Sequence, residues 1–469
     1  MDDFTYRSST FMSWLASIPN VTLHPSIQLA DLRSQHAGRG LLATDNIPAN
    51  TDLFTLPRSS IISTETSALP KLLPASIFED RDPWSALILV MTYEYLLGEK
   101  SQWKPYFDVM PTDFDTLMFW NEDELAELQA CAVRGKVGRK AANQMFEEHV
   151  LPIIKGHENT FYPEGNSSRL SDVELLALAH RFGSTIMAYA FDLEKDPSQL
   201  EADEEGYASE DEDALLAKGM VPLADLLNSN ANFNARLFYG TDTVTMRAVE
   251  DIRKGEEILN DYGHLPRSDL LRRYGYITDQ YKPFDVVEIT TELLLETVQD
   301  YRSLKEQDLH KRLEYLEDKD VLDDGYDIGR REMARQGQDD KDDHSEIPLS
   351  SSMFPPELVL LLRVLLAGQT EYKKLKSLSE ERDALLWVDI ANVMVEVATR
   401  RIKQYMTSVE EDESMLQDSN IHGRRKAAIE VRLGEKEILK EMWEEAQKLK
   451  NNYENVAKDS RPVKRQRKA

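Results

Sequence analysis

Short apolar runs broken by Gly, Asn and Pro fill residues 29–57 (LADLRSQHAGRGLLATDNIPANTDLFTLP), the rhythm of small twisted strands joined by tight turns. At Asp82 the rhythm changes. DPWSALILVMTYEYLLG offers a capping aspartate, a proline suited to the first helical position and then good helix formers, which predicts a helix from Pro83. Glu124 follows Asn121 by three residues, and Glu174 follows Ser171 by three; both pairs are capping boxes, so helices should dominate from about Asp82 to Asp192. Strand signals return in MVPLADLLN (220–228) and in NARLFYGTDTVTMRAVEDIRKGEEILNDYG (234–263), with turns expected at Gly240–Thr243 and Lys254–Gly255. After Tyr274, apolar residues recur at spacings of three and four through PPELVLLLRVLLAG, WVDIANVMVEVATRRI and KAAIEVRLGEKEILKEMWEEAQKL, the mark of an all-α region. Two stretches break the pattern. Glu201–Gly219 and Asp323–Ser352 are too polar to offset their ordering entropy, and the reading is a mobile loop and a partly disordered segment.

These patterns give an α+β chain: a β-rich domain over 1–286 interrupted by a helical insert of about 58–219, a helical domain over 287–455, and a basic tail over 456–469. A length of 469 residues with 41% hydrophobic content suffices for two cores. The start, MDDFTYRSST, is acidic where a secretory signal is basic and then apolar, and no apolar run reaches membrane-spanning length; a soluble intracellular protein with no membrane partner is expected. Cys131 is the single cysteine, which excludes an internal disulfide and a zinc site built from several thiolates, and no metal is expected. A formal net charge of −28 repels phosphate backbones, so the charge argues against direct nucleic-acid binding and favours a basic protein partner. On charge alone, carboxylates that only keep the protein soluble are the favoured reading.

Three stretches carry candidate chemistry. HAGRGLLATDNI places Gly38 and Gly40 between strand-like segments, where a ligand can approach the backbone, although the spacing is neither that of a Rossmann nor of a P-loop fingerprint. VPLADLLNSNANFNA sets Asp225, Asn228, Ser229, Asn230, Asn232 and Asn234 directly after apolar residues; if buried, these groups must all find partners. GEEILNDYG ends in Tyr262 with no usual nucleophile nearby.

In order, A-G-R-G-L-L-A, D-L-L-N, G-E-E-I-L-N-D-Y-G and R-R-Y-G-Y resemble the SET-domain protein lysine methyltransferases over about Leu29–Tyr276. W-S-A-L-I, M-A-Y-A-F and the helical C-terminal region extend the resemblance to the branch of the Rubisco large-subunit methyltransferase. Within it, M-V-P-L-A-D-L-L-N and N-A-N-F-N-A are similar to the fungal ribosomal lysine methyltransferases of type 4 and their animal relatives. The resemblance implies a β-rich SET domain with a helical insert, followed by an all-α C-terminal domain that helps to hold a protein substrate. It implies S-adenosyl-L-methionine as cofactor, met by Ala37, Gly38 and Arg39, lined by Tyr189, flanked by Asn228 and Ser229 and closed over by Tyr274. Trp84 and Ala190 would face the substrate lysine, and Tyr262 would be catalytic, orienting the amine. Ser229 departs from the family, most of whose members carry histidine there; weaker packing without loss of binding is expected.

The implied reaction is monomethylation of a 60S ribosomal protein, with another basic nuclear protein as the alternative substrate. Two other readings stay open at this point: a SET-fold scaffold without catalysis, for which Ser229 is the warning sign, and a helical adaptor, which leaves the N-terminal motifs unexplained. Arg461, Lys464, Arg465, Arg467 and Lys468 form a basic tail, read as a nuclear-import signal, a phosphate-binding patch or a solvated end. With a ribosomal substrate, a nuclear location is expected, the cytoplasm remaining open.

Overall fold

The structure is a computed structural model that describes residues 3–35, 37–79, 81–163, 169–193, 216–331, 353–368, 372 and 384–459. The chain divides into two compact units: Met1–Phe119, Gly138–His264 and Arg273–Gly275 in the first, and Trp120–Val137, Leu265–Arg272 and Tyr276–Ala469 in the second. Among the described residues no helix is long and apolar enough to cross a membrane.

The first unit opens with α1 (Asp3–Ser17), whose Phe11 and Leu15 are fully buried. Strands β1 (Thr22–Leu23), β2 (Ile27–Asp31), β3 (Arg39–Ala43) and β4 (Asp52–Pro57) follow. Then come α2 (Pro83–Leu96), the one-turn α3 (Lys104–Phe107) and α4 (Asp172–Tyr189). Strands β5 (Phe191–Asp192), β6 (Lys218–Gly219), β7 (Ala235–Tyr239), β8 (Thr243–Ala248) and β9 (Glu257–Ile258) complete it. They form small sheets in the orders β1-β4-β8-β7, β2-β3-β9 and β5-β6, every pair antiparallel.

The helix starts read from the sequence are those observed. The Asp82 side chain accepts from the Ser85 amide at 2.8 Å with Pro83 at the first position, and Asn121 and Ser171 each close a full capping box with Glu124 and Glu174. From Ser85 to Glu94, α2 is buried on every side, as its nearly continuous apolar run requires. At Gly183 on α4, an added Cβ would stand 2.9 Å from the Trp84 ring; the missing side chain lets that indole lie flush on the helix, where it stacks on Phe146 at 5.8 Å.

Several segments differ from the sequence reading. The strand expected through Gly255–Gly263 is reduced to Glu257–Ile258, with isolated bridges from Asn260 to Ser229 and Ala235 beyond it. There the Asn234 side chain stands in for part of the ladder, donating to the Glu257 carbonyl at 2.9 Å and accepting from the Leu259 amide at 2.8 Å, while the backbone amide of Asn260 donates to the Asn228 carbonyl at 2.9 Å. The strand expected over Met220–Asn228 shrinks to one bridge between Ile62 and Met220. Pro222 lacks an N–H, Leu223 takes a left-handed φ of 73°, and Ala224–Leu226 wind into a 3-10 turn. Left-handed leucine is costly and persists only where its surroundings over-determine it. The mobile loop expected over Glu201–Gly219 lies outside the described residues up to residue 215; Lys218–Gly219 is a strand.

The second unit is helical, with α5 (Arg267–Tyr274) entering it through Arg272. β10 (Val286–Thr290) leads into α6 (Thr291–Tyr301) and α7 (Glu306–Glu317), then β11 (Gly325–Gly329). α8 (Pro356–Leu366), α9 (Ala384–Ile402), α10 (Val409–Leu416) and the 37-residue α11 (Gly423–Asp459) finish it. An antiparallel β10-β11 ribbon accompanies these helices, and it lies partly in the segment 323–352 read as partly disordered. Its alternating Val287, Ile289, Tyr326 and Ile328 are buried, a period-two pattern too short to stand out between helical runs. Residues 332–352 lie outside the described residues, as does the basic tail from Arg461 to Ala469.

Candidate functional site

In the first unit, Phe4, Ala37, Gly38, Arg39, Val109, Pro111, Tyr189 and the turn Asp225–Asn228 enclose a cleft of about 170 Å³. Gly38 sits at φ 65° in the turn between β2 and β3, a conformation a side chain would strain. Two residues on, a Cβ at Gly40 would fall 2.4 Å from Leu32 Cδ1, 2.6 Å from Glu257 Oε1 and 3.1 Å from Asn228 Nδ2. Glycine there leaves room for Asn228, whose Nδ2 donates to Glu257 Oε1 at 2.7 Å and to the Arg39 carbonyl at 3.2 Å. Burial raises the Glu257 carboxyl, and the bond from Asn228 partly opposes the rise. The Arg39 guanidinium lies 3.8 Å over the Phe4 ring and donates to Ser8 Oγ at 3.0 Å and to the Val109 carbonyl at 3.1 Å, tying α1 to the glycine turn.

Asp225 lies at the bottom of the same cleft, 6% exposed. The Tyr106 hydroxyl donates to its Oδ2 at 2.5 Å, whereas Oδ1 is buried without a hydrogen-bond partner. Burial pushes this carboxyl up to about 7, against the stabilising bond from Tyr106. Tyr189 is pushed up to about 12, by burial first and by the nearby Asp225 second, so it is a neutral phenol at ordinary pH.

A second cleft of about 490 Å³ is lined by Trp84, Ile186, Met187, Ala188, Tyr189, Ala190, Phe191, Asp192, Lys218, Tyr239, Asn260, Asp261, Tyr262, Arg273 and Tyr274. Tyr189 lines both clefts. Tyr262 stacks on Tyr274 with centroids 4.6 Å apart and planes at 24°, and its hydroxyl donates to the Leu227 carbonyl at 3.1 Å. Gly263, at φ 78°, turns the chain directly after it. At this cleft Asp261 pairs with Arg236 at 2.6 Å and Asp192 pairs with Lys218.

Nine of the ten residues singled out from the sequence thus fall into two groups. Ala37, Gly38, Arg39, Asn228 and Tyr189 line the first cleft; Trp84, Ala190, Tyr262, Tyr274 and again Tyr189 line the second. Tyr274, expected to close over the cofactor, stands with Tyr262 in the second cleft. Ser229 lines neither cleft: it is 7% exposed and bridges Asn260 through its backbone. Phe4 was missed, and Asp225 was named in the polar cluster without a role in the site. Phe4 had a faint signal, since Phe11, Trp14 and Leu15 follow it at helical spacing; Asp225 is distinguished only by Tyr106, 119 residues away. No group of three or more His, Cys, Asp or Glu suited to a metal ion occurs among the described residues. The arrangement suits two ligands that meet at Tyr189, one held by backbone and polar groups, the other an apolar stem between aromatic walls.

The SET-domain family model matches residues 38–263, and the model for the Rubisco LSMT substrate-binding domain matches residues 303–439. Ribosomal lysine N-methyltransferase 4 of Saccharomyces cerevisiae is 33% identical over 346 residues, covering 70% of this chain and 69% of that protein. The human N-lysine methyltransferase SETD6 is 27% identical over 443 residues, covering 87% and 84%. A solved structure of Rubisco LSMT bound to AdoMet superposes with a TM-score of 0.65 at 18% identity, covering 96% of this chain and 93% of that one. The SET domain of LSMT bound to lysine and AdoHcy gives 0.65 at 17%, with the same coverage; these two likenesses establish the fold.

Proposed function

Because the chain belongs to the SET-domain protein lysine methyltransferases, we propose that its first cleft holds S-adenosylmethionine, its second the side chain of a substrate lysine, and that this lysine belongs to a large-subunit ribosomal protein. The enzyme is an S-adenosylmethionine-dependent protein-lysine N-methyltransferase. One observation carries the division of labour: the two clefts share Tyr189, so a ligand in each would meet there. The residues of the first cleft fit the cofactor. Gly38 and Gly40 let a ligand approach the backbone, Asn228 is fixed by Glu257, and a buried carboxyl oxygen of Asp225 has no partner from the protein. Ala37, Gly38, Arg39, Tyr189 and Asn228 would hold it, with Ser229 next to Asn228 and Tyr274 closing over it from the second cleft.

When bound, S-adenosylmethionine supplies an electrophilic methyl group with a built-in leaving group, so the enzyme needs no nucleophile of its own. What remains is to present a neutral amine in line. Walls of Trp84, Tyr189, Tyr239, Tyr262 and Tyr274 desolvate an incoming ammonium and lower its pKa, against a partly compensating cation–π attraction. Tyr189, pushed up to about 12, holds its proton and does not act as a base. The Tyr262 proton is committed to the Leu227 carbonyl, which leaves the phenol's lone pairs as acceptors for an amine N–H or for polarised methyl C–H groups.

Asn228→Ala is expected to weaken S-adenosylhomocysteine binding by about 1–3 kcal/mol, because it removes one partner from a buried polar site and leaves Glu257 unpaired. Calorimetry on a correctly folded variant decides; parent-like affinity would reduce the D-L-L-N segment to a structural turn.

The ribosomal substrate rests on the 33% identity to the yeast ribosomal lysine N-methyltransferase 4, the charge of −28 suits a basic partner, and the single methyl group is what the family resemblance implies. Labelled cofactor incubated with ribosomal subunits from a methylation-deficient strain should mark a large-subunit protein with one methyl group by mass spectrometry. Label confined to other basic nuclear proteins would overturn the ribosomal assignment. On this reading the enzyme works in the nucleus, and deletion of Arg461–Ala469 should shift a fluorescently tagged protein to the cytoplasm with activity intact. Unchanged nuclear accumulation would reject the import role.

A further inference from the structure

A carboxylic acid without a full set of partners is an unusual thing to find at the bottom of a binding cleft. Asp225 is 6% exposed; its one side-chain partner is Tyr106, 2.5 Å from Oδ2, and its own backbone amide gives the carboxylate some further support. Oδ1 is buried and bonded to nothing in the protein, and leaving such an acceptor unpaired costs more than an ordinary hydrogen bond returns. The groups packed against Asp225 offer no cation. Tyr106 from α3 and Tyr189 from α4 are phenols held neutral by burial, and Arg39 of β3, which lines the same cleft, spends its guanidinium on Ser8, Val109 and the Phe4 face. The strained Leu223 holds the turn that carries Asp225, and conformations of that cost persist where the geometry is used.

Resting on the assignment of this cleft to S-adenosylmethionine, we infer that Asp225 Oδ1 receives the α-ammonium of the cofactor's amino-acid end. The ligand's chemistry narrows the choice. A sulfonium has no N–H to donate, the α-carboxylate would be repelled, and the adenine amine is neutral and would leave the carboxylate's charge uncompensated. Only the ammonium both donates and neutralises, forming a charge-assisted hydrogen bond. Since Asp225 titrates at about 7 without a ligand, a cation placed on it favours the ionised form, and binding at or below neutral pH releases a proton to solvent.

The test compares S-adenosylhomocysteine with its analogue lacking the α-amino group, on the full chain. Asp225→Asn keeps the shape and an oxygen for Tyr106; it should bind S-adenosylhomocysteine ~10-fold or more weakly than the parent and the des-amino analogue equally well. Equal weakening of both ligands, or of neither, overturns the inference and leaves the cofactor assignment standing. Failure of the parent itself to bind S-adenosylhomocysteine overturns the assignment and the inference together. Should the variant not fold, the parent alone suffices: calorimetry near about pH 6.5 in buffers of different ionisation enthalpy should show proton release with S-adenosylhomocysteine and none with the analogue. Equal proton release for the two ligands refutes a direct contact with the amine.

Discussion

Tyr262→Phe is expected to bind S-adenosylhomocysteine almost as tightly as the parent while its turnover falls ~10-fold or more, a loss of at least about 1.4 kcal/mol of transition-state stabilisation. The ring keeps its stack on Tyr274, 4.6 Å away, so the aromatic wall survives. What disappears is the oxygen, and with it both the bond to the Leu227 carbonyl and the lone pairs available to the amine. An interaction made chiefly in the transition state lowers kcat and kcat/KM together, whereas lost packing raises KM alone. Single-turnover methylation separates the two. A folded Tyr262→Phe enzyme with an unchanged single-turnover rate would remove this hydroxyl from the mechanism.

Asp412→Ala should destabilise the folded protein by about 3–5 kcal/mol, the range found when one member of a buried ion cluster is removed. Asp412 and Lys436 are fully buried in the second unit, 2.6 Å apart, and Arg432, 1% exposed, reaches Asp412 Oδ1 at 2.8 Å. Thr407 donates to the same oxygen at 2.9 Å. Burial alone would raise the Asp412 carboxyl, but the bonds from Arg432, Lys436 and Thr407 outweigh it and hold the group below the usual carboxylate range. Its folded pKa being depressed, the contribution is complete above the ordinary aspartate range and is lost as pH falls through the lower folded value. Alanine strands two cations in an apolar interior, although Arg432 keeps Glu127 at 2.9 Å. Urea unfolding of the full chain at neutral pH reads the cost; a loss under ~1 kcal/mol would mean that water reaches the cluster. The cluster spans α10, α11 and the segment around Thr407, so its role is to lock the register of these helices.

Local chemistry was legible along the chain. Asp82, Asn121 and Ser171 begin helices because their side chains satisfy amides that any helix start exposes, and that geometry depends on three or four neighbouring residues. The 235–248 hairpin was equally visible, since Gly240 and the period of two on either side specify it locally. The order of the short motifs pointed to the family, and through it to the residues that line the two clefts. Hidden from the sequence were the places where a distant group replaces the expected local partner. Asn234 takes over the pairing of Glu257 and Leu259, which shortens the strand before Tyr262. Whether Asp225 is one more polar residue in a loop or an unpaired acid in a cleft depends on Tyr106, and whether Lys436 is a surface charge or a buried one depends on Asp412. Helix starts and hairpin turns follow from steric and hydrogen-bonding rules that act within one turn, so the sequence declares them. The charge state and partners of a side chain follow from what surrounds it after folding, and only the tertiary structure decides that.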